Sequence, residues 1–306
     1  MRKKTQILQD ILGPFRYSRD EFLFHCPFCN HHKKKLSINL NKSVFKCWVC
    51  DTKGGTSYLV RRFGAPEDKH DWGVLNQEVD MSLTHAMFEE STKKEKQVVQ
   101  LPKEYICLAK KGLPFSSKEP LSYLTRRGLT LKDILYYKIG YCETGEYRKR
   151  IIIPSFDEIG DCNFFVARSY KKDWLKYKNP RASKDIIFND MLIDWKEPIT
   201  LVEGPFDSLK IENSIPLLGS TLKENTRLFK KLALKQKKIY IGLDKDALTK
   251  SLKIMLSVMQ YGIEVFKIDT SQIEDIGAVS RLKAKGLKDG AIKMTTENVF
   301  NICWGI

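Results

Sequence analysis

The chain has 306 residues, of which 42% are apolar and 29% are charged. This length allows two or three domains, and this composition excludes a disordered or collagen-like chain. Lys and Arg number 53 against 37 Asp and Glu, so the net charge is +16 at pH 7. No apolar run approaches the ~18 residues of a transmembrane helix, and Gln6, Gln9 and Asp10 interrupt any secretory leader. The charge therefore favours nucleic acid over a membrane as the partner, and we expect a cytoplasmic protein.

The N-terminal region predicts a zinc ribbon. After a short apolar helix at 7–15, the pairs Cys26–Cys29 and Cys47–Cys50 are separated by 17 residues, and two short strands are predicted between them at 36–40 and 43–48. Two C-x-x-C pairs at this spacing supply four thiolates for one tetrahedral Zn²⁺. Two disulfides are the disfavoured alternative, because no export signal is evident.

The predicted ribbon is also basic. Residues 1–63 carry 13 Lys and Arg against 4 Asp and Glu. Lys46 and Trp48 lie two residues apart on the second strand, where they would hold a phosphate and stack on a base. Trp48 is equally compatible with packing in a small core. His25, His31 and His32 are interpreted as surface residues because the four cysteines complete a zinc site.

Beyond the ribbon, residues 64–98 predict a polar linker with some local helix, and residues 99–198 a basic subdomain of mixed α+β structure. The latter holds a helical region at 119–135 and strands at 151–154 and 162–168. Alternating strands and helices over 199–280 predict an α/β subdomain with a parallel sheet. Its strands are expected at 199–203, 215–218, 238–243 and 263–268, and its helices at 206–212, 222–234 and 246–260. Residues 281–306 remain as a C-terminal tail.

Acidic residues follow the strands of this predicted sheet. Glu203 comes after the first strand, Asp244 and Asp246 after the third, and Asp275 beyond the last. Carboxyl ends of parallel strands meet at one edge, so these carboxylates should converge. A cluster of like charges suits Mg²⁺ or Mn²⁺, which prefer oxygen ligands and support phosphoryl transfer. Asp207 and Asp269 lie nearby, and their contribution is left open, with a helix cap an equal alternative for Asp207.

The motifs together resemble a known family. Leu201-Val202-Glu203-Gly204-Pro205-Phe206-Asp207 and Gly242-Leu243-Asp244-Lys245-Asp246 resemble the TOPRIM fold of bacterial-type primases and some topoisomerases. The segments 123–130, 139–141, 150–154, 167–168 and 176–180 resemble the opening and the basic groove of a DnaG-type primase. The resemblance runs in family order over about residues 5–280, and the four-cysteine ribbon looks most like that of phage primases.

The resemblance implies an enzyme that makes short RNA primers from ribonucleoside triphosphates on single-stranded DNA. Asp244, Asp246 and Asp275 would hold the catalytic Mg²⁺ or Mn²⁺, and Glu203 would bind metal or accept a proton. The residues implied to hold template or triphosphate are Arg150, Arg168, Lys176, Tyr177, Asn179 and Lys184. A separate replicative helicase is expected, since no P-loop motif is present. A phage-encoded protein would act in the host cytoplasm.

Two positions depart from the family pattern. Asp275 is followed by Ile276-Gly277 instead of a second acid, and Asp190 stands where a Lys is common, so Lys178 or Lys184 would have to supply that charge. A TOPRIM nuclease and a non-catalytic zinc-ribbon adaptor for single-stranded DNA remain the alternatives. A topoisomerase is disfavoured because 306 residues leave little room for a separate tyrosine domain.

Overall fold

The computed structural model describes residues 3–18, 21–75, 97–236, 238–295, 298–299 and 302, with all of their side chains except those of residues 70 and 74. The chain forms two compact units. Unit 1 comprises residues 1–94 with 260–262, and unit 2 comprises 95–259 with 263–306.

Unit 1 is an antiparallel sheet with helices packed on it. Its strands follow one another in the order β1-β2-β3-β4-β5. They are β1 Arg16–Ser18, β2 Glu21–Phe24, β3 Leu36–Asn39, β4 Val44–Cys47 and β5 Lys53–Gly55. The helices are α1 Lys4–Leu12, α2 Thr56–Phe63 and α3 Pro66–Leu75. Strands β3 and β4 confirm the two predicted between the cysteine pairs, and β1, β2 and β5 widen the sheet.

Helix α3 occupies the start of the segment predicted as a linker. The Trp72 side chain is buried, and its indole Nε1 donates to Ser57 Oγ at 3.1 Å. One large aromatic anchor therefore holds a helix that has no regular apolar face. The rest of the predicted linker, residues 76–96, lies outside the described residues.

The first part of unit 2 is a four-stranded antiparallel sheet in the order β6-β7-β8-β9. Its strands are β6 Tyr105–Cys107, β7 Gly140–Cys142, β8 Arg150–Phe156 and β9 Cys162–Ser169, and its helices are α4 Lys118–Arg126 and α5 Leu131–Tyr136. The single helical region predicted at 119–135 is two helices. Gly128 breaks it with φ of +68°, and Thr130 then begins α5 with a capping box to Asp133.

The second part of unit 2 is the predicted parallel α/β sheet. The strand order is β11-β10-β12-β13-β14, in which β10 to β13 are parallel. The strands are β10 Ile199–Val202, β11 Ser214–Pro216, β12 Lys238–Gly242, β13 Glu264–Lys267 and β14 Ile292–Met294. The helices are α6 Pro205–Ser208, α7 Arg227–Lys235, α8 Leu248–Met259 and α9 Arg281–Asp289.

The C-terminal segment extends this sheet. Residues 281–294, which the sequence analysis assigned to a tail, form α9 and the edge strand β14. Strand β14 pairs antiparallel with β13, so the sheet is mixed and not wholly parallel. Met294 and Ala284 are buried, which gives this short segment its contact with the core.

Candidate metal centres and nucleic-acid surface

The four paired cysteines meet because of the register of the unit 1 sheet. Strands β2 and β4 both run antiparallel to β3 and therefore parallel to each other. Phe24 at the end of β2 and Cys47 at the end of β4 both lie opposite Leu36. The first cysteine pair follows β2 and the second begins at the end of β4, so both pairs are at one end of the sheet.

The sulfur positions match a tetrahedral metal site. The distance from Cys26 Sγ to Cys50 Sγ is 3.8 Å, and that from Cys29 Sγ to Cys47 Sγ is 3.9 Å. All four sulfurs lie within 4.8 Å of one another. A tetrahedral Zn²⁺ with bonds of ~2.3 Å sets its sulfurs about 3.8 Å apart, whereas a disulfide requires ~2.05 Å. The quartet therefore fits zinc and excludes two disulfides in this structure.

Burial of the first cysteine links zinc binding to proton release. Desolvation raises the pKa of the Cys26 thiol to about 12. Zinc binds the thiolate, so the metal has to displace this proton when it binds. The surrounding core, which includes Leu36, Phe45 and Leu59, holds the sulfurs in place.

Lys46 and Trp48 lie on the surface beside this site. The Trp48 side chain is 65% exposed, and Lys46 Nζ is 4.8 Å from the centroid of its ring. Lys46 Nζ is also 3.2 Å from Asp51 Oδ1. The alternative that Trp48 packs in the small core is wrong. Its indole face is available to a ligand, while a nucleic-acid role stays a prediction.

The predicted acidic residues gather at one edge of the unit 2 sheet. Val202 and Gly242 end β10 and β12 and lie side by side in the parallel register, so Glu203 and Asp244 follow neighbouring strands. Burial, together with the negative charges of Glu203, Asp275 and Asp246, raises the pKa of Asp244 to about 6. The carboxylates are therefore close enough to repel one another.

This acidic edge contains carboxylate oxygens that a bound cation could coordinate. Lys250 Nζ donates to Glu203 Oε1 at 2.8 Å. Glu203 Oε2 and Asp275 Oδ1 are buried and have no hydrogen-bond partner. Buried oxygens without a partner are costly, and a bound cation removes that cost. Among the described residues, the four cysteines form a cluster whose ligand atoms all lie within 4.8 Å of one another. The carboxylate oxygens of the acidic edge do not form such a tight cluster.

Asp207 holds this edge together from within the protein. Its Oδ2 accepts from Gly204 N–H at 2.7 Å, and its Oδ1 accepts from Gly277 N–H at 2.8 Å. The side chain is buried, which raises its pKa to about 6. Asp207 thus caps α6 and fixes the turn that carries Asp275. Asp269 is exposed and accepts from Ser271 N–H, a local turn contact.

Gly277 lies in the turn that follows Asp275, and a side chain at this position should displace that turn. A Cβ atom at this position would be 2.8 Å from Asp207 Oδ1 and 3.1 Å from Phe206. We expect Gly277→Ala to lower the free energy of unfolding by about 1–3 kcal/mol and to weaken divalent-cation binding. Gly286→Ala is the matched control, because nothing lies within 4 Å of its added Cβ. Denaturant unfolding and calorimetric Mn²⁺ titration measure both effects, and equal behaviour of the two variants would contradict the prediction.

A stack of cations and aromatic rings lies next to the acidic edge. The Arg168 guanidinium is 5.2 Å from the Tyr177 ring and 5.0 Å from the Phe206 ring, and its Nη1 donates to the Tyr177 hydroxyl at 2.6 Å. The Arg127 guanidinium is 4.7 Å from the Phe206 ring. Phe206 lies three residues after Glu203 in the chain, so the two arginines that contact its ring are near the acidic edge. Sequence reasoning missed Arg127, although it lies in the quoted segment 123–130.

The other predicted basic-groove residues differ in exposure. Lys176 and Lys184 are exposed, and Lys184 Nζ donates to Leu218 O at 3.0 Å. Asn179 Oδ1 accepts from Ala167 N–H at 3.2 Å, which pins the groove segment to β9. Arg150 is only 5% exposed, and its Nη2 is 2.8 Å from Asp173 Oδ2. The structure therefore places Arg150 inside the protein, while Lys176 and Lys184 reach the surface.

Asp190, the second departure from the family pattern, has a cation partner. Lys231 Nζ on α7 is 2.7 Å from Asp190 Oδ2, and Trp195 Nε1 donates to Asp190 Oδ1 at 2.8 Å. Lys178 Nζ instead pairs with Glu146 at 3.2 Å. The cation that pairs with Asp190 is thus Lys231, and the suggestion that Lys178 or Lys184 supplies the charge of the family's lysine stays a prediction.

No family model matches the chain. The DNA primase of Mycoplasma genitalium is 21% identical over 313 residues, which cover 80% of this chain and 51% of the relative. The Escherichia coli primase catalytic core superposes with a TM-score of 0.52 at 18% identity, over 61% of this chain and 77% of that one. The chain is similar in sequence to bacterial DNA primases and similar in fold to the catalytic core of DnaG-type primases.

A further solved structure supports the same fold. A DnaG primase catalytic domain bound to single-stranded DNA superposes with a TM-score of 0.51 at 16% identity, over 68% of this chain and 78% of that one. The chain spans about half the length of the curated primases it matches. The expected architecture is confirmed as a four-cysteine ribbon followed by a mixed α+β part and an α/β sheet with the fold of primase catalytic cores. In the described part of the chain, no helix has the length and apolar character needed to cross a bilayer.

Proposed function

We propose that this chain synthesises short RNA primers from ribonucleoside triphosphates on a single-stranded DNA template. The observation that carries the proposal is the acidic edge, where partnerless oxygens of Glu203 and Asp275 lie beside the raised-pKa carboxyl of Asp244. It is set on a DnaG-type primase fold next to a cationic stack. The DNA in a related structure and the primase names of the relatives support the same function.

Mg²⁺ or Mn²⁺ is the cation that fits this acidic edge. All the candidate ligand atoms are carboxylate oxygens, from Glu203, Asp244, Asp246 and Asp275, and such ligands select hard divalent ions. When bound, the ions would neutralise charge on the transferring phosphoryl group and favour attack by the primer 3′-hydroxyl. Asp207 is not a ligand in this scheme, because two backbone N–H groups occupy its oxygens.

The remaining residues bind and position the strands. Arg168 and Arg127 supply positive charge beside the acidic edge, and the rings of Phe206 and Tyr177 limit the directions in which the two guanidinium groups can point. Lys176 and Lys184 supply exposed charge for the template backbone. Lys250 holds one Glu203 oxygen, which orients this carboxylate toward the other acids. Glu203 then serves as a cation ligand or as the proton acceptor.

The zinc ribbon would contact the template. Trp48 and Lys46 present an exposed ring and a charge at the surface of unit 1. Unstacked bases of a single strand offer their faces and edges to such groups. Template selection would therefore depend on the ribbon, and strand opening on a separate replicative helicase. The protein would act in the cytoplasm in which the DNA replicates.

Primer synthesis on mixed single-stranded templates tests the proposal. Purified protein is incubated with template, α-labelled ribonucleoside triphosphates, and Mg²⁺ or Mn²⁺, and the products are separated by size. The proposal predicts short, alkali-labile RNA that depends on template and cation. Degraded template in place of RNA would favour a TOPRIM nuclease, and tight binding with neither product would favour an adaptor.

A further inference from the structure

The segment 170–176, which we call the Trp174 loop, carries an unusually exposed aromatic residue. It connects the end of β9 to Tyr177, and the Trp174 side chain is 94% exposed. Within the described residues, its ring makes no aromatic contact and its indole N–H has no partner. A large aromatic side chain in water leaves most of its apolar surface unburied, so the Trp174 ring is accessible for stacking on a ligand.

The loop that presents Trp174 is held in one conformation. Asp173, its neighbour, forms the 2.8 Å ion pair with buried Arg150 and also accepts from Leu175 N–H at 3.0 Å. Ser169 N–H donates to Lys176 O at 3.0 Å, which closes the base of the loop. Breaking a buried ion pair leaves an uncompensated charge, so Arg150 strongly favours this conformation. A loop ordered in advance binds with little further loss of entropy.

The charge around Trp174 indicates what it binds. The loop contains Lys171, Lys172 and Lys176 against one acid, Asp173, which is already neutralised by Arg150. Lys172 and Lys176 are exposed and have no ion-pair partner in the described part of the chain. An aromatic face flanked by free cations suits a base and its adjacent phosphates, whereas an apolar protein partner would leave both charges unpaired.

The loop also adjoins the proposed active site. Tyr177, which ends it, contacts Arg168 and bridges to it in an antiparallel pair. Arg168 in turn lies over Phe206, three residues beyond Glu203. A strand that reaches the acidic edge along the cationic stack would therefore pass the base of this loop.

We propose that Trp174 stacks on a base of single-stranded nucleic acid, and that Arg150 is a positioning residue that holds its loop. The inference rests on the proposed primase function for the identity of the strand. It changes the role of Arg150, which the sequence resemblance assigned to nucleic-acid contact. Trp174 itself was not a candidate in the sequence analysis.

Equilibrium binding with the full chain tests this role without requiring catalysis. Labelled oligothymidylate of about twelve nucleotides and an abasic strand with the same number of phosphates are titrated in the absence of nucleotides. We expect Trp174→Ala to weaken binding of the thymidylate by about fivefold or more, with an unchanged salt dependence. Binding of the abasic strand should not change, because it offers no ring. Trp174→Phe should retain most of the affinity.

Tyr136→Ala is the matched control, because Tyr136 is an exposed aromatic on α5. It should bind both strands like the wild type. The proposal is overturned if Trp174→Ala binds thymidylate like the wild type, or if it loses equal affinity for both strands. A wild type that binds the strand but makes no primer would refute the proposed function and leave the role of Trp174 standing.

Discussion

Asp244→Asn is expected to reduce primer synthesis by more than about 100-fold. The substitution keeps the size of the side chain and removes the charge at the centre of the acidic edge. Asp244 is half-buried, and its pKa of about 6 reflects burial and the three neighbouring carboxylates. Such a group gains most from a bound cation, so its loss should remove the cation and the reaction together. Primer yield and Mn²⁺ affinity measure the two effects.

Asp269→Asn is the matched control for this prediction. Asp269 follows the neighbouring strand β13, but its carboxylate is exposed and accepts only from Ser271 within the described contacts. We expect primer yield and Mn²⁺ affinity close to those of the wild type. Full primer synthesis by Asp244→Asn would contradict the assignment of the acidic edge, and so would an equal loss in both variants.

Cys47→Ser is expected to remove the zinc and unfold unit 1. The wild type should contain one Zn²⁺ per chain. Structural zinc contributes roughly 10–16 kcal/mol to the folding of small zinc domains. A domain with a core as small as the one around Leu36 and Phe45 is only marginally stable, so it cannot compensate for the loss of this contribution. Metal analysis should find the zinc lost, and hydrogen exchange should show β3 and β4 unprotected. Unit 2 has its own buried residues, which include Ile151 and Ile153 of β8 and Ile239 and Ile241 of β12, so both strands should keep their protection.

Cys107→Ser is the control for the zinc prediction. Cys107 is a free, half-buried cysteine of β6, which lies in unit 2. This variant should keep one zinc and a protected unit 1. A wild type that folds unit 1 without metal would refute the zinc assignment, as would Cys47→Ser that retains one zinc.

Much of the fold follows from local patterns in the sequence. The two C-x-x-C pairs predict the zinc ribbon because only a chain reversal at each pair brings four sulfurs together. The strands β10, β12 and β13 and the acids behind two of them follow from apolar runs that end in carboxylates. These features are short-range, so one sequence is sufficient to reveal them.

Three other elements were not predicted, and two of them depend on distant contacts. Strand β14 has three residues, of which only Met294 is buried, so it carries no periodic signal. Helix α3 has no regular apolar face, and Trp72 and Leu75 provide its contacts with the unit 1 core. The break between α4 and α5 depends on the positive φ of Gly128, for which Gly followed by Thr130 and Asp133 was an available signal.

The candidate site shows the same division. The placement of Glu203, Asp244 and Asp275 at one edge of the sheet could be predicted, because each follows a strand or a recognisable motif. The partner of each side chain could not, since Lys250 and Gly277 come from separate elements. Arg150 illustrates the limit most clearly, because its motif indicates a basic groove residue while its burial makes it a partner of Asp173.

Transfer of a γ-phosphate label tests the central claim most directly. A polymerase that starts a primer from two ribonucleoside triphosphates leaves the triphosphate on the first nucleotide, so γ-labelled substrate should label the RNA product. The account predicts short, alkali-labile RNA that carries the γ-label on single-stranded DNA, and none with Asp244→Asn. Label that enters only from the α-phosphate, on products joined to the template 3′ end, would contradict primer synthesis by this chain.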